Sequence, residues 1–229
     1  MILISRLALD LLAAVLLVAG LAYWWLGNLA HELIGTAMFV LIIAHNVFNR
    51  QVWARARAGH YDRQRSLNGI VIMLLAGAMT TLLATSIMLS RDLIGLKAAA
   101  NVSTARQMHS LAAYWGLVFV ALHIGIRWRV VMLALRNAIG LTVASGLWLW
   151  ALRAVTFGIA LHGIRACTEL ALSDKLLLIP SLDLWDFNEA AARFFVNHLS
   201  IMVLIGALAH YTFEVVANRK RGSMNGVAR

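Results

Sequence analysis

One cysteine, one proline and a shortage of charge set the first limits on this chain of 229 residues. Cys167, standing alone, cannot close an internal disulfide, hold a thiolate-ligated iron–sulfur cluster or supply a Cys-x-x-Cys-His haem attachment. With Pro180 as the only proline, long stretches are free of the strongest helix breaker. Only 13% of the residues are charged and 62% are apolar, whereas a soluble domain carries roughly a quarter of its residues as charges. The polar side chains are too few to cover a globule, so lipid must cover much of the surface. Acids are scarcest: ten Asp and Glu stand against twenty Lys and Arg, for a net charge of +10. Such a surplus fits arginines gathered on one side of a bilayer, beside anionic lipid, better than a nucleic-acid surface, and no nucleic-acid partner is expected.

What is present is apolar length. A helix needs about 20 apolar residues to cross the hydrocarbon core, and six stretches qualify, at roughly 7–26, 29–50, 67–90, 105–134, 138–163 and 190–217. The expected fold class is therefore all-α: an integral membrane bundle of about six transmembrane helices. The first stretch is long for a signal peptide and runs into Tyr23, Trp24 and Trp25, an interfacial aromatic belt. It reads as a retained span. The segment 164–189 is the longest connection and predicts an ordered external loop containing a short helix at the membrane surface.

Orientation follows from the basic residues. Arg50, Arg55, Arg57, Arg63 and Arg65 follow the second stretch; Arg127, Arg129 and Arg136 follow the fourth; Arg219, Lys220, Arg221 and Arg229 form the tail; Arg6 lies near the start. Arg91, Lys97, Arg106, Arg165, Lys175 and Arg193 fall on the other side, with most of the acids. Both termini are predicted cytoplasmic in a multi-pass protein of a bacterial inner membrane. Arg153 falls mid-span in the fifth stretch, where an idle charge is costly; a propionate, a quinone or a buried acid such as Asp10 is its expected partner.

Four of the eight histidines form a pattern. His31 and His45 lie fourteen residues apart in the second stretch, and His109 and His123 lie fourteen apart in the fourth. Fourteen helical residues fall about 40° short of four full turns and rise about 21 Å, so each pair shares a face and reaches two depths of the membrane. The second and fourth stretches cross in the same direction. As neighbours they would set His31 level with His109 and His45 level with His123. Two imidazoles facing each other from parallel helices are what bis-histidine ligation of haem iron requires. Between the ligands the stripes run through Gly35, Met38 and Ile42, and through Ala113, Gly116 and Val120. Gly35 and Gly116 would let a flat macrocycle approach the backbone, with Gly20, Gly69 and Gly77 able to do so from neighbouring helices. Asn28 is the expected N-cap of the second helix, and Thr104 with Gln107 the expected capping box of the fourth. Single intramembrane histidines are commonly hydrogen-bonded core residues; two pairs in matching register are harder to explain that way. Anionic propionates need donors, and the candidates are Arg91, Lys97 and Arg106 at one end and Arg50, Arg127 and Arg129 at the other. His198 and His210, twelve apart, face about 120° from each other and do not repeat the pattern. His162 reads as interfacial and His60 as solvated.

These residues carry a resemblance. The run His31-Glu32-Leu33-Ile34-Gly35, followed by His45-Asn46 and Asn49, resembles the first half of a family of small cytochrome b-like membrane proteins long catalogued as a domain of unknown function. Ala113-Tyr114-Trp115-Gly116, followed by His123-Ile124-Gly125 and Trp128, resembles its second half. The resemblance covers roughly residues 5–135. It implies a four-helix core over residues 1–135 binding two haem b groups, similar to the cytochrome b subunits of membrane formate dehydrogenases and hydrogenases, with residues 136–229 adding two further spans, an external loop and a cytoplasmic tail. It also implies electron relay between membrane quinone and a partner redox protein, one bearing flavin or metal. A further histidine often precedes the tryptophan in that pattern; Arg127 stands in its place here. The chain shows no nucleophile–base pair and no nucleotide or flavin fingerprint, so an electron-transfer subunit is expected rather than an enzyme acting alone. Two rivals remain open at this stage: a stand-alone quinone-coupled oxidoreductase acting on superoxide or ferric iron, and a haem-free transporter, although the second and fourth stretches lack the breaks usual in transporters.

Overall fold

The computed structural model describes residues 2–50, 63–95, 101–139, 146–179 and 185–227. Its regular elements are all helices: α1 (Ile2–Leu21), α2 (Tyr23–Phe48), α3 (Arg63–Leu89), α4 (Val102–Ile126), α5 (Trp128–Ile139), α6 (Gly146–Glu169), α7 (Leu172–Leu176) and α8 (Phe187–Val227). Among the described residues, five helical runs are long and apolar enough to cross a membrane: Tyr23–Phe48, Ser66–Leu89, Val102–Ile126, Gly146–Glu169 and Phe187–Val215. Leu7–Leu21 of α1 is a shorter apolar run. Large apolar side chains lie exposed along these helices, among them Val40, Ile43, Met73, Leu147 and Phe157. Without lipid that surface would be an aggregation hazard. The chain is a multi-pass helical membrane protein.

The ends of the helices differ from the sequence expectation where local chemistry intervenes. α1 and α2 are joined by Ala22 alone, which is buried. The break near the start of α2 falls at Gly27, whose φ of 79° lies where only glycine is comfortable. Asn28 does not cap the helix. Its amide instead donates to Glu32 and to Asp92, each at 2.8 Å. α4 begins at Val102 behind Asn101, with no side-chain cap, so the Thr104–Gln107 box is not formed. The predicted fourth stretch is two helices, because the chain turns at Arg127 (φ −96°, ψ 8°). The fifth stretch, expected at 138–163, is helical over Gly146–Glu169. Arg153 lies within this helix. Its guanidinium lies 5.5 Å from the centre of the Trp150 ring, a cation–π contact. The short helix expected within the connection 164–189 is α7. Arg55, Arg57, His60, Lys97, Pro180 and Asp183 lie outside the described residues.

Packing is by neighbours. α1 lies along α2, α3 along α4, and α8 against both α4 and α6. Small residues allow the closest approaches, as is usual between membrane helices. Gly125 of α4 sits on the Gly206 backbone of α8, and Gly163 of α6 on the Ser200 carbonyl of α8. Tyr114, Ala166, Leu170, Leu172, Phe194 and Ile201 form a buried cluster where α4, α6, α7 and α8 meet. Lys175 donates to the Tyr114 hydroxyl at 2.9 Å, and the Trp115 indole donates to the Leu176 carbonyl at 3.2 Å, fastening α7 to α4. Arg193 pairs with Glu169 between α8 and α6.

Candidate functional site

The two helices that carry the four histidines touch little backbone to backbone, yet one pair of their histidines meets. The His31 and His109 rings have centres 5.8 Å apart and planes inclined at 66°. Metal–imidazole bonds of about 2 Å would set two rings that share one iron about 6 Å apart, centre to centre. At the other depth His123 lies within electrostatic range of His45, Asp10 and Arg127. The structure thus brings His31 and His109 together at one level; His45 and His123 stand about 21 Å along their helices from that level, with no ring contact between them among the described residues.

Each level has a hydrogen-bonded imidazole whose partner comes from a different helix. His109 Nδ1 is 3.0 Å from the Thr85 hydroxyl of α3. That hydroxyl also stands 2.7 Å from the Thr81 carbonyl, and with its single proton given there it accepts from His109. His109 then carries its proton on Nδ1 and has a free lone pair on Nε2. His45 Nδ1 meets the Asp10 carboxylate of α1. A carboxylate only accepts, so the same tautomer follows, with the Nε2 lone pair 3.4 Å from the Asn49 amide nitrogen. Asn49, one turn along, donates to the His45 carbonyl at 2.9 Å. His31 and His123 each bury an Nδ1 atom with no hydrogen-bond partner, a state that ordinarily costs energy unless a ligand makes use of the ring.

No protein-family model, curated protein or solved structure matches the chain.

The donor set fits haem on the chain's own geometry. The 31/109 level offers two facing imidazoles, the donor pair that would complete the ligation of a haem iron. Among the described residues no three His, Cys, Asp or Glu side chains converge as a bare cation would need. A Cβ added at Gly20, Gly35, Gly69 or Gly77 would meet nothing within 4 Å. Gly116 differs: a Cβ there would stand 3.1 Å from the Met79 side chain, so its smallness serves the contact of α4 with α3.

The other candidates fall around this frame. Arg106 is exposed in the first turn of α4, one turn before His109, and Arg127 is half-buried one turn after His123. Arg129 is engaged elsewhere, pairing with Glu214 of α8 at 2.9 Å. His210 lies 3.5 Å from the same Glu214. His198 is fully buried, gives its Nδ1 proton to the Phe194 carbonyl at 2.9 Å and packs on the Phe194 and Tyr114 rings. His162 bonds Asn197 at 3.1 Å. These three histidines belong to the seams of α8 and not to the two facing pairs.

Sequence reasoning did not connect Asp10 or Thr85 with the histidines. Asp10 carries a signal, since it is the only acid in the first apolar stretch, where an ionisable residue has a functional reason by default. Thr85 carries none, because Thr80, Thr81 and Thr85 all return their hydroxyls to the carbonyl four residues back. Glu32, quoted as part of the motif, proves to be a clasp. Its carboxylate accepts from the Ser90 hydroxyl at 2.8 Å and from the backbone N–H groups of Arg91 and Leu93 at 2.8 and 2.9 Å. It ties the start of α2 to the turn after α3, beside His31.

Proposed function

We propose that this chain is a b-type cytochrome that holds two haems between α2 and α4, one by His31 and His109 and one by His45 and His123. The observation that carries the reading is the meeting of the His31 and His109 rings from two helices that otherwise stand apart. When bound, each haem supplies reversible one-electron chemistry at its iron. The chain's own residues do the rest. The imidazoles fix the two sites at separate depths, Thr85 and Asp10 set the tautomers, and the surrounding helices exclude water. Arg106 and Arg127, one turn beyond the ligands, are placed to receive propionates.

On this reading the protein relays electrons across the bilayer between quinone and a redox partner protein, as a subunit rather than as an enzyme alone. The basic residues assign it to a bacterial inner membrane with both termini cytoplasmic, the 31/109 level outward and the 45/123 level inward.

The test is a reduced-minus-oxidised spectrum and a pyridine haemochrome count on purified protein. About two haems per chain, extractable with acid–acetone, are expected. A count near zero or one refutes the reading.

A further inference from the structure

The two levels are alike in ligand type and unlike in what stands behind the ligand. Behind His109 is a neutral hydroxyl, a weaker acceptor than a carboxylate. Behind His45 is the Asp10 carboxylate. A carboxylate bonded to the far nitrogen of a ligating imidazole raises the basicity of the near one, and the bond is charge-assisted. The more basic ring donates more strongly to iron and stabilises the ferric over the ferrous state. Hydrogen bonding beyond the axial ligand is one of the levers by which a protein sets a haem potential. Arg127, in electrostatic range of His123, acts in the opposite sense. It lies beside the partner ring and is not bonded to it, whereas the carboxylate is bonded directly to the His45 ring.

We propose that Asp10 is a positioning residue that sets the haem held by His45 and His123 at a lower midpoint potential than the haem held by His31 and His109. This rests on the two-haem reading. A single electron supplied by a chemical reductant then settles at the 31/109 level. In the exchange between sites one electron moves, the iron at the 45/123 level is oxidised from ferrous to ferric, the other is reduced from ferric to ferrous, and no axial bond breaks. In the proposed orientation the downhill direction is from the inner to the outer side of the membrane.

Redox titration of the purified full chain should show two one-electron waves. In Asp10→Asn the lower wave should rise by at least a tenfold change in the ferric/ferrous equilibrium, about 59 mV for one electron, while the upper wave and the haem count hold. Asp10→Ser places a hydroxyl behind His45, as Thr85 stands behind His109, and should draw the two waves together. Thr85→Val should move only the upper wave. If an Asp10 variant loses one haem, the survivor is the one at the 31/109 level: its wave should be the upper of the two, and finding the lower one overturns the proposal. No shift in either Asp10 variant with both haems retained, or a shift confined to the upper wave, also overturns it while leaving the two-haem reading intact. A wild-type count below two refutes that reading instead.

Discussion

Replacing Gly125 by alanine adds one methyl group at the tightest helix crossing described. The new Cβ would lie 2.8 Å from the Gly206 Cα and 2.9 Å from its carbonyl carbon, where ordinary contact begins near 3.4 Å. Both neighbours are backbone, and neither can rotate away. The Gly206 carbonyl oxygen stands closer still, so α4 and α8 must part by roughly an ångström, a gap that forfeits about half of the dispersion energy of each contact across the seam. Summed along the crossing, the loss is of the size seen for overpacking, about 2 kcal/mol, or a fall in Tm of about 4–8 °C for a chain of this length. Gly158→Ala is the control. Gly158 sits in α6 with nothing within 4 Å of the added carbon, so only helix propensity acts, in the stabilising direction and by at most about 1 kcal/mol. Thermal unfolding of both variants in one detergent compares them directly. A Gly125→Ala protein as stable as wild type, or a Gly158→Ala protein equally weakened, would refute the argument from close approach. Gly125 lies two residues from His123, so Gly125→Ala is further expected to loosen the 45/123 haem before the other.

Ligands are expected to pair by depth: His31→Ala and His109→Ala should convert the same haem to a high-spin or lost form, and His45→Ala and His123→Ala the other. Redox titration of each variant reads this, and a shared effect of His31→Ala with His123→Ala would contradict the register. A reporter active only outside the cytoplasm, fused to the C-terminus, should stay silent; strong activity would reverse the inner and outer assignments. Glu32→Gln removes the carboxylate that gathers the turn after α3. With its partners partly exposed, the loss should be about 1 kcal/mol, read as a lower Tm with Glu32→Asp intermediate, and an unchanged Tm would mean that the clasp contributes nothing.

The long-range order of the site was legible because it rests on helix periodicity. A fourteen-residue spacing has the same angular and axial meaning in any regular helix, so His31 and His109 come together even though the predicted ends of both helices were several residues off. Those ends were misread for local reasons. A glycine at positive φ overrode Asn28 as the start of the regular part of α2, and the turn at Arg127 divided a run whose hydropathy is unbroken. Thr85 was illegible in principle. Its role depends on which face of α3 turns toward α4, and a run with apolar residues on every side does not specify that face.

The Glu32 clasp and the single-residue link at Ala22 bear on how such a molecule is assembled. α2 carries two of the four imidazoles, yet beyond α1 it touches the rest of the bundle only lightly, and its span is among the least buried described. It is hinged at one end by Ala22, latched near the same end by Glu32, and along its length toward Phe48 it rests on α1, to which the His45–Asp10 pair ties it. A flat prosthetic group can enter from the side while such a helix swings on its hinge, after the remaining helices have already folded into a frame. Hydrogen exchange during haem-limited expression should then find α2 the last helix to become protected, with protection spreading from the Glu32 end toward His45. Uniform protection of α2 with α4 and α8 would mean that the frame and its door form together.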